Sequence, residues 1–204
     1  MRGIKNTTQH YGWVAVALHW AIGLAIIAMI PLGMYFHQLV HQAEMVVAGE
    51  LMVDDFGAFF IWIDTVAVMH KSIGLTIMVL AAVRLVWRAM NPVPPLPDNL
   101  KWWERIAAHA THHGLYLLMF LMPLTGWLGS AAEGISGSFF FLFPIPAPVP
   151  ASEVLAGILI GAHDIFSKLL ILAIVLHVGA AMKHLVVLKD GVMRRMLPGV
   201  GPRG

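Results

Sequence analysis

The sequence contains no cysteine and is poor in charge. Without cysteine the chain cannot form disulfides, thiolate metal sites or cysteine-ligated iron–sulfur clusters. Only 12% of its 204 residues are charged, about half the share in a typical soluble domain. The formal net charge of +2 is too small to indicate a nucleic-acid partner. These shortages exclude the disulfide-stabilised and nucleic-acid-binding classes of protein and argue against a soluble domain.

Long apolar runs are what the sequence has instead of charge. Residues 11–36 and 106–132 contain no Asp, Glu, Lys or Arg, and each run is longer than the roughly 20 residues that a membrane helix needs. Two further apolar runs are interrupted by a few charged side chains. The pattern predicts an all-α fold, namely a four-helix bundle that is integral to a membrane and forms one domain. The predicted helices extend over about residues 12–36, 59–89, 105–131 and 154–188.

Three segments between these runs are predicted to be loops. The proline-rich segments 91–97 and 143–150 cannot continue a helix. Segment 37–58 carries several acidic residues and is predicted to be a longer polar loop. We expect the first apolar run to be a retained span, because no small-residue cleavage site follows it.

The basic residues are distributed unevenly about the predicted spans. Four spans place the residues before the first run, the 90–104 loop and the tail on one side, and this side receives every basic residue except Lys71 and Lys168. By the positive-inside rule that side is the cytoplasm, so the N- and C-termini are predicted to be cytoplasmic. The basic residues assigned to it are Arg2, Lys5, Arg84, Arg88, Lys101, Arg105, Lys183, Lys189, Arg194, Arg195 and Arg203.

Four histidines lie within the predicted spans, in two pairs of matching depth. His177 follows His163 by 14 residues, which leaves the two rings roughly 40° apart on one helix face and about 21 Å apart along the axis. In the predicted topology His19 lies at the cytoplasmic depth of His177, and His70 lies at the depth of His163. We call His19 and His177 the inner pair, and His70 and His163 the outer pair. Two bis-histidine sites at two depths are what a transmembrane two-haem electron wire needs, with these histidines as axial iron ligands.

A small residue follows each of the four histidines at position i+4, on the same helix face, where it would leave room for a flat macrocycle. An alternative interpretation stays open, in which the histidines form hydrogen bonds between helices and the small residues serve helix packing. The four small residues are Gly23, Gly74, Ser167 and Ala181.

Several segments of the sequence resemble the bacterial cytochrome b561 family of four-helix, two-haem quinone oxidoreductases. They occur in all four predicted helices and in the tail, in the order and spacing of that family. The segments are ALHW (17–20), MHKSIG (69–74), VRLVWR (83–88), AHATHHGLYLL (108–118), LHVGAAMKH (176–184) and KDGVMRRM (189–196).

The resemblance implies a multi-pass protein of the bacterial inner membrane that carries b-type haem and exchanges electrons with ubiquinone or another quinone. By position, the family's axial ligands fall on His19, His70, His163 and His177. Some relatives pass electrons from periplasmic superoxide to ubiquinone, and others are haem-carrying membrane anchors of hydrogenases or similar dehydrogenases. The expected partners are therefore lipid, a quinone, and either superoxide or a periplasmic redox protein as electron donor.

Three further histidines are candidates for a quinone site at the cytoplasmic edge. His184 corresponds to a position that is associated with quinone in the family, and His109 and His112 are predicted to lie at the same edge. The i, i+4 spacing of His109 and His113 is also one that can hold zinc, although no HExxH pattern indicates a catalytic metal. A plain cluster of interfacial histidines is an equal alternative.

Three basic residues are candidates for contacts with haem propionates: Lys71, Arg84 and Arg88. Each also has a simpler interpretation, since Lys71 can extend to the outer membrane surface and the two arginines can be positive-inside anchors. Lys168, which is also near the outer pair, has a possible ion-pair partner in Asp164 four residues earlier.

A different class of function also uses histidines within a membrane, namely a transporter with a proton or metal relay. Such a protein is expected to show repeat symmetry or interrupted helix pairs, and the sequence shows neither. We therefore expect an electron-transport oxidoreductase with two haem b groups as cofactors and a quinone as substrate.

Overall fold

The computed structural model describes residues 3–96 and 100–197, most of which are helical. Arg2 and Arg203, which entered the distribution of charge, and Pro97 of the first proline-rich loop lie outside the described residues. Four long helices follow one another, with a short hairpin between the third and the fourth. The elements are α1 (Trp13–Val47), α2 (Phe56–Ala89), α3 (Trp102–Ala132), β1 (Gly137–Phe139), β2 (Phe143–Ile145), α4 (Glu153–Met182), a π-helical segment (Lys183–Leu188) and a 3-10 turn (Met193–Arg195).

All four helices have the length and the apolar character of membrane spans. The helices have 31 to 36 residues each when α4 is counted with its π-helical continuation. The mean hydropathy of their most apolar windows lies between 1.5 and 2.2. Many large apolar side chains are exposed, among them Leu24 in α1 and Leu172 in α4, as expected for surfaces in contact with lipid tails. The prediction of a four-helix bundle integral to a membrane is confirmed.

The first helix is longer than predicted, and the loop after it is correspondingly shorter. Residues 37–47, which we expected to be loop, continue α1 to Val47, and α2 begins at Phe56. The prediction was wrong here because it relied on polar side chains, which are tolerated in a helix, whereas the segment contains no Gly or Pro. The chain first leaves the helix near Gly49, whose φ of 78° favours glycine.

The segment between α3 and α4 contains a two-stranded antiparallel hairpin in which Phe139 of β1 pairs with Phe143 of β2. In the connecting loop, Phe140 and Phe141 have positive φ angles of 46° and 62°. Aromatic residues rarely occupy this region, and such strain persists only where surrounding contacts impose it.

Ser72 of α2 supplies one contact that holds this loop. Its side chain is fully buried, and its Oγ accepts a hydrogen bond from the backbone N–H of Phe140 at 2.8 Å. The same hydroxyl donates to the carbonyl oxygen of Val68 at 2.7 Å. Next to it, Gly137 approaches Lys71 so closely that an added Cβ would lie 3.4 Å from Lys71 Nζ. The hairpin is thereby attached directly to α2.

The chain forms two compact units, each of which contains part of all four helices. One unit comprises the described residues up to Gly23, Met78–Leu121, and those from Ile165 onward. The other comprises Leu24–Ile77 and Met122–Asp164. The inner pair of histidines lies in the first unit, and the outer pair lies in the second.

In the first unit, the segments before α1 and after α4 are fixed by hydrogen bonds from side chains to the backbone. The Asn6 side chain donates to the carbonyl oxygen of Pro92 at 3.0 Å and accepts from the N–H of Gly12 at 2.9 Å. Trp20 donates its indole N–H to the carbonyl oxygen of Met196 at 2.6 Å. The tail after α4 therefore returns to α1, beside the first histidine of the inner pair.

Candidate haem-binding sites

The inner pair brings together side chains from α1 and α4. The ring centroids of His19 and His177 lie 6.0 Å apart, with an angle of 71° between the ring planes. Both rings are partly buried. Trp20 packs edge-on against His19 with a centroid distance of 5.6 Å. The first unit thus holds two imidazoles at close range.

The outer pair brings together side chains from α2 and α4. The ring centroids of His70 and His163 lie 6.2 Å apart, at an angle of 66° between the planes. Phe36 of α1 lies against His70 with a centroid distance of 5.6 Å. The structure therefore brings together the same histidines that the depth argument paired, while their role as iron ligands stays a prediction.

Both separations match the distance that one metal ion imposes on two imidazole ligands. A bond from a metal ion to an imidazole nitrogen is about 2.0–2.1 Å long, and roughly 1.1 Å separates each nitrogen from its ring centroid, which gives about 6.3 Å for rings on opposite sides of the ion. The observed centroid distances of 6.0 and 6.2 Å are close to this value. Haem iron accepts neutral imidazole as an axial ligand, so the donor atoms also fit.

The hydrogen bonding of His163 selects the nitrogen that a metal can bind. Its Nδ1 lies 2.7 Å from the carbonyl oxygen of Met122 in α3. A carbonyl oxygen can only accept, so Nδ1 carries the proton and Nε2 keeps its lone pair. Histidines that ligate metals commonly have this arrangement, which fixes both the tautomer and the orientation of the ring.

Two glycines that the sequence analysis did not single out permit close approach to the outer pair. A Cβ at Gly126 would lie 2.8 Å from both Cε1 and Nδ1 of His163, and a Cβ at Gly33 would lie 3.2 Å from Cε1 of His70. Neither glycine lies at position i+4 after one of the four histidines, where small residues were expected. Glycine is unfavourable in a helix interior, so a glycine within a predicted span suggests that something approaches it closely. That was the signal in the sequence for both residues.

The space beside two of the predicted small residues is open. Within the described chain, a Cβ added at Gly23 would meet no atom within 4 Å, and one at Gly74 would have its nearest neighbours 4.0 Å away, on Met29 and Pro123. Room is therefore left on the helix faces next to the histidines four residues earlier, as the prediction of a flat macrocycle requires.

Nδ1 of His70 is buried and has no hydrogen-bond partner among the described residues. Leaving a buried polar group without a partner costs roughly 1–3 kcal/mol. Such groups are few in native proteins, and each calls for an explanation such as a bound group that completes the site. This nitrogen is a sign that the outer pair belongs to a cofactor site.

Arg84 lies against His19 in the inner site. Its Nη1 is 2.9 Å from Nδ1 of His19, and its guanidinium lies 5.9 Å from the ring centroid of Tyr116. A guanidinium can only donate, so the contact uses the lone pair of Nδ1 and leaves the proton of a neutral ring on Nε2. Iron bound at Nε2 requires the opposite tautomer, so ligation by His19 and this hydrogen bond exclude each other. Arg84 would then be available to a haem propionate, whose carboxylate its fork of donors matches.

The other histidines of α3 divide into two groups. His112 lies beside the inner pair, with its ring centroid 5.3 Å from that of His177. His109 and His113 are exposed and stack on each other at 6.2 Å. Among residues 3–96 and 100–197, no group of three or more His, Asp or Glu side chains could hold a metal ion. The spacing of His109 and His113 therefore finds no support as a zinc site there.

His184, the first quinone candidate, pairs with a carboxylate that the sequence analysis did not single out. Its Nδ1 lies 2.6 Å from Oδ2 of Asp190, and both side chains are largely buried. The pair spans the π-helical segment Lys183–Leu188. Six residues separate the two positions, a spacing that an α-helix would not bring together, so periodicity gave no signal for this contact.

The remaining basic candidates differ in their surroundings. Lys71 is half-buried and interacts electrostatically with Asp64 and Glu133. Arg88 lies in the last turn of α2 and is exposed, and Lys168 in α4 is also exposed. Lys71 is therefore a cation whose charge is partly balanced by acidic neighbours.

Four apolar helices of membrane-spanning length that carry two close pairs of histidines define a membrane cytochrome of the b type. Comparison with known proteins makes this class more particular. The chain belongs to the prokaryotic cytochrome b561 family, whose sequence model matches residues 10–199. It is thus a haem-binding, multi-pass protein of the bacterial inner membrane that takes part in electron transport.

Individual relatives agree with the family assignment. Cytochrome b561 homolog 2 of Escherichia coli (strain K12) is 30% identical over 193 residues, which are 94% of this chain and 93% of the relative. Cytochrome b561 homolog 1 of the same organism is 32% identical over 133 residues, 63% of this chain and 73% of the relative. Probable superoxide oxidase CybB of Yersinia pestis is 32% identical over 130 residues, 64% of this chain and 73% of the relative. The family predicted from the motifs is confirmed.

Proposed function

We propose that the protein binds two haem b groups, one at each histidine pair, and transfers electrons across the membrane to the quinone pool. His19 and His177 ligate one iron, and His70 and His163 ligate the other. The chain acts as one transmembrane cytochrome domain. Haem supplies the one-electron redox chemistry, and the protein supplies the ligands, their orientation and the surrounding charge.

The observation that carries the proposal is the spacing of the two pairs. Their ring centroids are 6.0 and 6.2 Å apart, and both values are close to that for two imidazoles on one metal ion. The helix α4 contributes one histidine to each pair, and its partners come from α1 and α2. The tautomer of His163 and the unpaired Nδ1 of His70 give separate support at the outer pair.

Electrons enter at the outer pair, on the periplasmic side, and superoxide is the proposed donor. The excess of basic residues at the opposite side supports cytoplasmic termini and a periplasmic outer pair. Lys71 follows His70 directly, and a positive potential there favours the approach of a small anion. The name of one relative, probable superoxide oxidase, supports the same donor.

The quinone exchanges electrons at the cytoplasmic end, near the inner pair. His184, His109 and His112 offer ring nitrogens that can donate a hydrogen bond to a quinone oxygen and carry protons. Among them, the ring centroid of His112 lies 5.3 Å from that of His177, which supports a quinone site beside the inner pair. The proposed route of electrons is from the outer site to the inner site and on to ubiquinone or a similar quinone.

The test uses the protein purified in mild detergent without partners. A pyridine haemochrome assay should give two haem b per chain, and one haem or none would contradict the proposal. Anaerobic addition of superoxide should produce the bands of reduced haem, superoxide dismutase should prevent them, and ubiquinone should then remove them. A chain that holds both haems but is reduced only with a copurified dehydrogenase would instead be a haem-carrying anchor subunit.

A further inference from the structure

The segment after α4 forms a mostly buried acid–base pair that haem ligation does not use. His184 Nδ1 and Asp190 Oδ2 are 2.6 Å apart, and the side chains are only 15% and 8% exposed. The helix becomes π-helical over Lys183–Leu188, and Lys189 then has a left-handed φ of 50°. This change of direction brings Asp190 back to the ring of His184.

Both carboxylate oxygens of Asp190 are held in place. Oδ2 contacts Nδ1 of His184, and Oδ1 accepts a hydrogen bond from the backbone N–H of Val192 at 3.1 Å. An ionised carboxylate can only accept, so Nδ1 of His184 carries a proton and Nε2 is the nitrogen left for another partner. Within the described parts of the chain, Nε2 has no hydrogen-bond partner and is not sealed off by burial.

We propose that Asp190 is a positioning residue for proton transfer at the quinone site. It fixes the tautomer and the orientation of the His184 ring, so that Nε2 can pass a proton to a quinone oxygen. Carboxylates that orient metal-ligating histidines fix the tautomer in the same way, and their removal commonly costs about 10- to 100-fold in metal affinity or activity. The inference rests on the proposed quinone function and adds a residue to it.

The proton and electron balance of this step is complete. Reduction of one quinone to its quinol takes up two electrons, which a haem held by His19 and His177 would supply one at a time, and two protons. His184 gives one proton from Nε2 for each electron, and water at the cytoplasmic edge returns a proton to the ring. Nδ1 keeps its own proton throughout, and this proton stays hydrogen-bonded to Asp190. Each transfer therefore leaves a lone pair on Nε2, which can take up the next proton.

A simpler interpretation is that the pair only fastens the tail to the end of α4. An asparagine would keep one of the two contacts, because its single side-chain oxygen can accept from Nδ1 of His184 whereas its amide nitrogen cannot accept the N–H of Val192. An asparagine also carries no charge, and its amide offers a donor as well as an acceptor, so it does not fix the tautomer of His184 as a carboxylate does. A loss of fastening alone would leave the solvent isotope effect unchanged, so this effect separates a fastening role from a role in proton transfer.

The experiment measures the oxidation of pre-reduced haem by short-chain ubiquinone in a stopped-flow instrument, in H2O and in D2O. Asp190→Asn should lower the limiting rate by about 10-fold or more, shift the half-saturating quinone concentration by less than about 3-fold, and increase the solvent isotope effect. In a His184→Gln background, Asp190→Asn should have no further effect, because the carboxylate acts through that ring.

The matched control is Glu44→Gln, which changes an exposed pair. His41 Nδ1 and Glu44 Oε2 are 3.6 Å apart, and their side chains are 69% and 73% exposed. This variant should oxidise at the wild-type rate. Wild-type haem that quinone does not oxidise would contradict the proposed function itself, whereas equal limiting rates and isotope effects in the wild type and Asp190→Asn would overturn only the inference.

A measurement on the wild-type holoprotein covers the case in which Asp190→Asn does not accumulate. With 15N-labelled histidine, the NMR signals of His184 should show a proton on Nδ1 and, in the neutral form, an unprotonated Nε2. A ring protonated on Nε2 alone would overturn the inference, because Asp190 would not be fixing the tautomer.

Discussion

His163 donates its Nδ1 proton to the carbonyl oxygen of Met122 across 2.7 Å, which ties a candidate iron ligand on α4 to α3, a helix with none of the four proposed ligands. The acceptor lies one residue before Pro123, and Gly126 lies one turn further along α3. The ring is thus oriented by a backbone atom and has room because a side chain is missing. Substitutions in α3 should therefore change the outer site without touching a ligand.

The first prediction concerns that missing side chain. Gly126→Ala should lose most of the outer haem, because the added Cβ would lie 2.8 Å from Cε1 and Nδ1 of His163 and the ring would have to move. The pyridine haemochrome value should fall from two haems toward one. The control is Gly161→Ala in α4, where an added Cβ meets no atom of the described chain within 4 Å. Equal haem loss in both variants would refute the role of the contact.

The second prediction concerns the independence of the two sites. His177→Ala and His163→Ala should each lose one haem, and the lost component should differ, because each histidine pairs with a different partner ring. Redox titration followed by visible spectroscopy measures which component remains. His109→Ala, which changes an exposed ring outside both pairs, should keep both components. Loss of the same component from the two ligand variants would show that the pairing is wrong.

The third prediction concerns the charge beside the inner site. Arg84→Gln should lower the midpoint potential of the inner haem by on the order of tens of millivolts, because a nearby positive charge favours the reduced iron. Arg88→Gln is the matched control, since it removes the same charge from an exposed position one turn further along α2. Its effect should be clearly smaller. Equal shifts in the two variants would mean that the position of Arg84 beside the inner site is not what tunes the potential.

The fourth prediction concerns the approach of superoxide. In the double variant Lys71→Gln and Lys168→Gln, reduction by superoxide should slow by about 3- to 10-fold at low salt, and the difference should shrink at high salt because screening already removes the attraction. The double variant Lys5→Gln and Lys101→Gln removes equal charge from the predicted cytoplasmic side and should not slow it. Glu133→Gln removes an acidic neighbour of Lys71 and should speed it. Unchanged rates with both haems bound would rule out steering.

The fifth prediction concerns the attachment of the hairpin. Ser72→Ala removes the acceptor for the N–H of Phe140 and should destabilise the hairpin by about 1–3 kcal/mol. Hydrogen exchange with mass spectrometry should show faster exchange in residues 137–145, with little change in the helices. Thr65→Ala is the control, because among the described residues that hydroxyl bonds only within its own helix, to the carbonyl oxygen of Ile61 at 2.9 Å. Similar exchange in both variants would exclude an anchoring role for Ser72.

The helices and the pairing of histidines were predictable because both follow from periodicity and length. A run of about 20 apolar residues specifies a span, and a spacing of 14 residues places two rings on one face, whatever the neighbouring helices do. The end of α1 was not predicted, because the helix continues through the polar side chains to Val47 and the chain turns only near Gly49, whose φ is 78°.

Contacts that depend on the rotation of a neighbouring helix were not predictable in the same way. The contact of Met122 in α3 with His163 depends on how α3 is rotated against α4, and the sequence does not indicate this rotation. The pairing of His184 with Asp190 depends on a change to π-helical hydrogen bonding, for which the sequence carries no simple signal.

The attachment of the hairpin to α2 through the hydroxyl of Ser72 has a consequence for solvent access. Its strands have three residues each, and its loop holds two phenylalanines in a costly conformation. Elements of this kind open in local fluctuations that cost far less than global unfolding. Opening of the hairpin would let water reach Lys71, on which Gly137 rests, while the helices stay intact. Ser72 is one of the contacts that oppose this opening, so the water content around Lys71 can change without any rearrangement of the helices.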